Sequence, residues 1–105
     1  MRILFDQGTP VPLRAYLVGH SVTTAHEMGW AGLDNGDLLR AAEAQFDALI
    51  TTDQSLPYQQ NLSKSPLAIL ALMTTSWPRI RPHVAKVAAT VNSLRPGEYR
   101  ELDFP

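Results

Sequence analysis

Asp6 follows the short apolar run Arg2-Ile3-Leu4-Phe5, and Asp53 follows Ala48-Leu49-Ile50-Thr51-Thr52. If the two runs are neighbouring parallel strands, both carboxylates project from one carboxyl edge of a sheet, where open α/β folds bind their ligands. Two or three carboxylates converging there suit a hard divalent cation such as Mg2+ or Mn2+, which takes oxygen ligands and keeps several waters. A cation held that way polarises a phosphodiester oxygen and lowers the pKa of a bound water. The pair therefore points to metal-assisted phosphate chemistry. Taken singly, each Asp also has a local account: Asp6 as the cap of a helix near Thr9-Pro10, and Asp53 as the cap of the turn before Leu56-Pro57.

Other acids are divided in the same way. Glu27 is a site acid or a surface residue, and Asp37 is a site acid or a first-turn helix acid favoured by the helix dipole. Glu43 falls within a helix and is read as solvated, and Asp47 precedes a strand, at the opposite end of the sheet. Tyr58-Gln59-Gln60-Asn61 form a dense hydrogen-bonding cluster just past Asp53, able to contact bases or phosphates with Tyr58 stacking, or to satisfy its own backbone. Trp30 and Trp77 are expected as core or interface anchors. His20, His26 and His83 lack metal-ligand spacing, His26-Glu27 has no second His to complete a zincin motif, and no Walker pattern occurs.

The elements that must position these groups alternate between strand and helix. A strand at 2–5 precedes a helix opened by Pro10 and Pro12 and running to about residue 18, proline being suited to a first helical turn. A second strand covers about 21–24, and the Gly-rich, aromatic stretch 27–37 reads as loop or short helical turn. A helix from about 36 to 45 carries Leu38, Leu39, Ala42 and Phe46 at helical spacing. Residues 48–52 form the third strand, 55–65 contain a short helical turn, and 67–73 are a continuous apolar run of the kind buried on both faces. Val84, Val87, Ala88, Val91 and Leu94 mark a last helix, stopped by Pro96-Gly97. Residues 98–102 are a final edge strand. Five strands with helical crossovers predict one α/β domain over 1–105, a three-layer α/β/α sandwich around a mostly parallel sheet.

Composition narrows the function classes. The chain has 105 residues, 45% of them hydrophobic and 18% charged, which suits a single globular core. No run approaches the roughly 20 apolar residues of a membrane span, and the first residues form a strand-like run, not a secretion signal. With no cysteine, disulfides, zinc–thiolate sites and thiol catalysis are excluded, and a cytoplasmic location is the expectation. A net charge of −1 argues against a duplex-coating protein but suits a nuclease whose metal bridges acidic residues to a phosphate backbone.

The runs Ile3-Leu4-Phe5-Asp6, His26-Glu27-Met28-Gly29, Leu38-Leu39-Arg40-Ala41-Ala42 and Leu49-Ile50-Thr51-Thr52-Asp53 resemble, in order and spacing, those of PIN-like domains. The likeness is to a short bacterial PIN-like family related to the VapC-type ribonuclease toxins, and it covers about residues 2–62 well. The resemblance implies metal-dependent cleavage of single-stranded RNA by three or four carboxylates. Carried over, Asp6 matches the first acid, Glu27 the second and Asp53 the fourth. The third position falls on Asn35, flanked by Asp34 and Asp37. Where some relatives have one more Asp, this chain has Ser55. Asp6, Asp53 and Asp37 are thus the expected metal ligands, joined by Glu27 as the expected catalytic acids, with Asn35, Thr51, Tyr58 and Gln59 on the substrate side. An antitoxin partner and a homodimer are also implied. Two rivals stand: a PIN-like module that binds RNA or a protein without cutting, motivated by Asn35 and Ser55, and a phosphorelay receiver using Asp53 and Thr74-Thr75. The receiver lacks its paired acid after Asp6, where Gln7 stands, and its late Lys, for which only Arg100 is near.

Overall fold

The computed structural model describes residues 1–59 and 61–105, apart from the side chains of Tyr58, Gln59 and Ser63. Five strands, β1 (Arg2–Phe5), β2 (Ser21–Thr24), β3 (Ala48–Thr51), β4 (Ala68–Leu72) and β5 (Tyr99–Leu102), form one sheet in the order β2-β1-β3-β4-β5. Every neighbouring pair is parallel, so the expected mostly parallel sheet is parallel throughout. The central strands β3 and β4 are buried at every position, while the edge strands β2 and β5 keep exposed polar residues. That contrast follows from parallel strands being covered on both faces in the middle of a sheet.

Alternate residues of each strand enter two separate apolar clusters. Ile3, Phe5, Ile50, Leu70 and Leu72 pack with Leu13, Ile80, Val87, Val91 and Phe104. Leu4, Leu49 and Ile69 pack on the other side with Leu38, Leu39 and Ala42. Helix α1 (Asn35–Gln45) supplies the latter group. It starts at Asp34, whose side chain accepts a 2.8 Å hydrogen bond from the Asp37 amide, satisfying one of the donors a helix start leaves unpaired. Helix α2 (Leu56–Gln59) is a single turn, followed by a 3-10 turn at Leu62–Lys64.

One helix departs from the sequence expectation. The segment after β1 is a 3-10 helix, Val11–Tyr16, which ends short of residue 18. The amides of Leu13 and Leu17 bond to carbonyls three residues back, and the left-handed Gly19 (φ 87°) then turns the chain. Before the last helix, α4 (Val84–Ser93), come a short α3 (Trp77–Ile80) and a 3-10 turn, Arg81–His83. Pro82 has no N–H to continue the ladder, so the helix restarts beyond it. None of the helices among the described residues is long and apolar enough to cross a membrane.

Candidate functional site

In this strand order the chain direction across the sheet reverses between β1 and β3, and a crevice opens at such a switch point beyond the carboxyl ends of the strands. Asp6 lies one residue past β1 and Asp53 two past β3. Phe5 pairs with Ile50, and the Asp6 amide continues the ladder by donating to the Ile50 carbonyl at 3.1 Å. The two acids accordingly line one cleft of about 270 Å³, with Gln7, Gly8, Trp30, Leu33, Asn35 and Thr52 among its walls.

The carboxylates are held in place by neutral donors. The Thr9 hydroxyl lies 2.8 Å from Asp6 Oδ1 and 2.9 Å from the Ile50 carbonyl. The Thr51 hydroxyl donates to Asp6 Oδ2 and accepts from the Asp53 amide at 3.0 Å. Thr51, 1% exposed, therefore ties the first acid to the backbone of the second. Asp53 Oδ1 accepts from the Ser55 amide (2.9 Å) and hydroxyl (2.6 Å), and Oδ2 from the Asn35 amide nitrogen at 2.7 Å. The Ser55 hydroxyl and then the Asn35 amide draw the Asp53 pKa below 3.8, against a smaller opposing effect of desolvation. Hydrogen bonds of this kind favour the charged carboxylate.

Asn35 and Ser55, where the resemblance leads one to expect acids, thus serve as donors to the remaining one. Glu27 stands on the other flank of Asp6, in a cleft of about 300 Å³ shared with Thr9, Arg14, Thr24 and His26. Its Oε1 accepts from the Thr24 amide (2.9 Å) and from Arg14 (2.6 Å). The Thr24 backbone bond and then the Arg14 side chain lower its pKa. Asp37, an expected metal ligand, pairs instead with Arg40 on the exposed side of α1, one helical turn apart. Thr51, expected on the substrate side, is buried with its hydroxyl engaged by both acids' segments. Asp6 does not cap the following 3-10 helix, whose start carries no side-chain cap bond, whereas Asp53 does close the local turn through Ser55. Asp47 lies at the amino edge, bonded to the Arg2 amide at 2.8 Å.

The side chains of Tyr58 and Gln59, and Gln60 as a whole, lie outside the described residues. Among the described residues no three His, Cys, Asp or Glu side chains are grouped to hold a metal ion. Nothing local in the sequence marks Thr9 as a partner of Asp6, because its hydroxyl also meets the Ile50 carbonyl, 41 residues away. Comparison of the chain with family models, with curated proteins and with solved structures returns no match.

Proposed function

We propose that this cleft is a nuclease site in which Asp6 and Asp53 hold a magnesium or manganese ion, and that the protein cleaves single-stranded RNA. The observation that carries the reading is the Thr51 bridge, which keeps both acids on one cleft at the switch point of the sheet. Magnesium is often held by one or two carboxylates and a substrate phosphate, with waters completing the shell; the donor set fits that pattern in number and type. When bound, the ion supplies charge neutralisation at the phosphate and an activated water. Ser55 and Asn35 favour the charged form of Asp53, the form that a cation requires. Thr9 and Thr51 orient Asp6, and Ser55 and Asn35 orient Asp53. Glu27, paired with Arg14, lies across Asp6 from the Asp53 cleft and is read as a support for that flank.

The accompanying fold reading is a PIN-like three-layer sandwich, supported by α1 on one face and α4 with the 3-10 helix on the other. An antitoxin partner and a homodimer belong to the same reading; co-purification with the product of a neighbouring gene tests the first. The test of catalysis is cleavage of a mixed single-stranded RNA pool in manganese by wild type, Asp6→Asn and Asp53→Asn. Cleavage lost in both variants supports the site, and cleavage indifferent to both removes it.

A second reading, a PIN-like module that binds without cutting, is favoured by one feature: Asn35 and Ser55 satisfy Asp53 without any cation. Manganese binding followed by calorimetry separates the two. The nuclease reading requires binding that Asp6→Asn abolishes, whereas the binding module requires none.

A further inference from the structure

One wall of the acid cleft has no part in holding a cation. Ala25, Trp30, Ala31, Leu33 and Leu38 line the cleft together with Asp6, Asp53 and Asn35. Leu33 is 39% exposed, and Trp30 is half-buried. The wall is a built feature. The Trp30 amide donates to the Ala25 carbonyl at 2.8 Å, and the Leu33 amide to the Trp30 carbonyl at 3.0 Å. Gly29, at φ 76°, makes the turn that brings Trp30 back. The Trp30 ring is steadied edge-on by Phe46, with centroids 6.1 Å apart. Gln7 and Thr52 line the same cleft, and their amide and hydroxyl make no hydrogen bond to another described residue.

We infer that this wall is a nucleobase subsite, which seats one unpaired base of an RNA strand beside the phosphate at Asp6 and Asp53. The inference rests on the RNA-binding part of the proposal above but not on cleavage. A cation held by a carboxylate pair recognises only the backbone phosphate. A cleft that holds an indole and an exposed leucine beside that pair matches a nucleotide's two halves, the phosphate through the cation and the flat apolar ring. Stacking on an aromatic side chain is a sequence-tolerant source of affinity for single strands. Gln7 and Thr52 are placed to read the base edge. At about 270 Å³ the cleft sits just under the usual range for small-molecule sites, room for one ring system and not for an extended cofactor.

Trp30 reports on its own occupancy once the second tryptophan is replaced. We would titrate the Trp77→Phe protein in calcium, a hard cation that takes the same oxygen ligands, with short single-stranded RNAs, and with an abasic ribose-phosphate oligomer of equal length. Trp30 emission and oligomer polarisation are the readouts. The expected result is Trp30 quenching by base-bearing oligomers and their binding roughly five- to a hundred-fold more tightly than the abasic one, the range of one stacked base. Leu33→Ala, at an exposed position that leaves the core intact, should lower that preference several-fold, and Trp30→Ala should remove most of it. Equal binding of base-bearing and abasic oligomers, no binding of either, or preferences unchanged in both variants, would overturn the subsite. Cleavage is read separately in manganese: base-dependent binding without cleavage sinks the nuclease reading and leaves the subsite standing.

Discussion

Thr51 holds the site together through a single hydroxyl, donating to Asp6 Oδ2 and accepting from the Asp53 amide. Thr51→Val keeps its shape and removes both bonds, leaving the part-buried Asp6 Oδ2 and Asp53 amide without that partner. The expected cost is about 1–3 kcal/mol in urea unfolding, and Thr51→Ser should recover most of it. Ser55 acts on charge. The folded pKa of Asp53 is depressed below 3.8, so its carboxylate contributes stability that is present above the unfolded value and lost as pH falls through the folded one. Ser55→Ala removes the largest cause of that depression. Its Asp53 carboxyl carbon should therefore titrate at higher pH than in wild type by NMR. The stability gap between the two proteins should be wider at pH 7 than in acid, where it narrows as pH falls through the folded pKa of Asp53. A Ser55→Ala titration that coincides with wild type would refute this account.

At the scale of elements, the loops after β1 and β3 approach closely over the cleft. A Cβ at Gly8 would collide with the Thr52 hydroxyl oxygen, so with Thr52 placed as it is, residue 8 has no room for a side chain. Gly8→Ala should destabilise the fold by about 1–2 kcal/mol, as overpacking does. Removing the obstructing hydroxyl in Gly8→Ala/Thr52→Ala should return part of that loss, and equal unfolding midpoints for the single and double variants would contradict the contact. The start of α1 matters to the site for a related reason. Asp34 caps the helix through the Asp37 amide, and the next residue, Asn35, carries the amide that bonds Asp53. A loosened cap would therefore reach the acid directly.

Across the whole molecule, the sheet is stabilised from two sides by clusters that share no residues. The cluster beneath α4 is closed by Phe104, 1% exposed and near the chain's last residue. The Arg79 guanidinium donates to the Phe104 carbonyl at 2.8 Å, which fixes this tail across the end of α3. Phe104→Ala should cost about 3–5 kcal/mol, a large share of the 5–15 kcal/mol typical of a domain. Thermal unfolding of the variant measures it, and a loss under 1 kcal/mol would mean that the tail is not part of the core.

The strands and the long helices were legible because their signals are local. Apolar runs of four or five residues mark β1, β3 and β4, and the three-to-four spacing of Leu38, Leu39 and Ala42 marks α1, each readable without knowing what lies opposite. The placing of Asp6 and Asp53 at strand ends followed from the same signals. Which acids face one another did not. Asp37 is two residues from Asn35, yet about 100° of helical rotation per residue carries it to Arg40 on the exposed side while Asn35 reaches Asp53. Glu27 is claimed by Arg14, thirteen residues away, and Thr51 bridges to an acid forty-five residues away. Those partners are chosen by strand order and parallel register, which depend on how both faces of the sheet are buried at once. Local sequence determined where the chemically capable residues stand along each element; only the tertiary packing decided that neutral donors hold two carboxylates on one cleft.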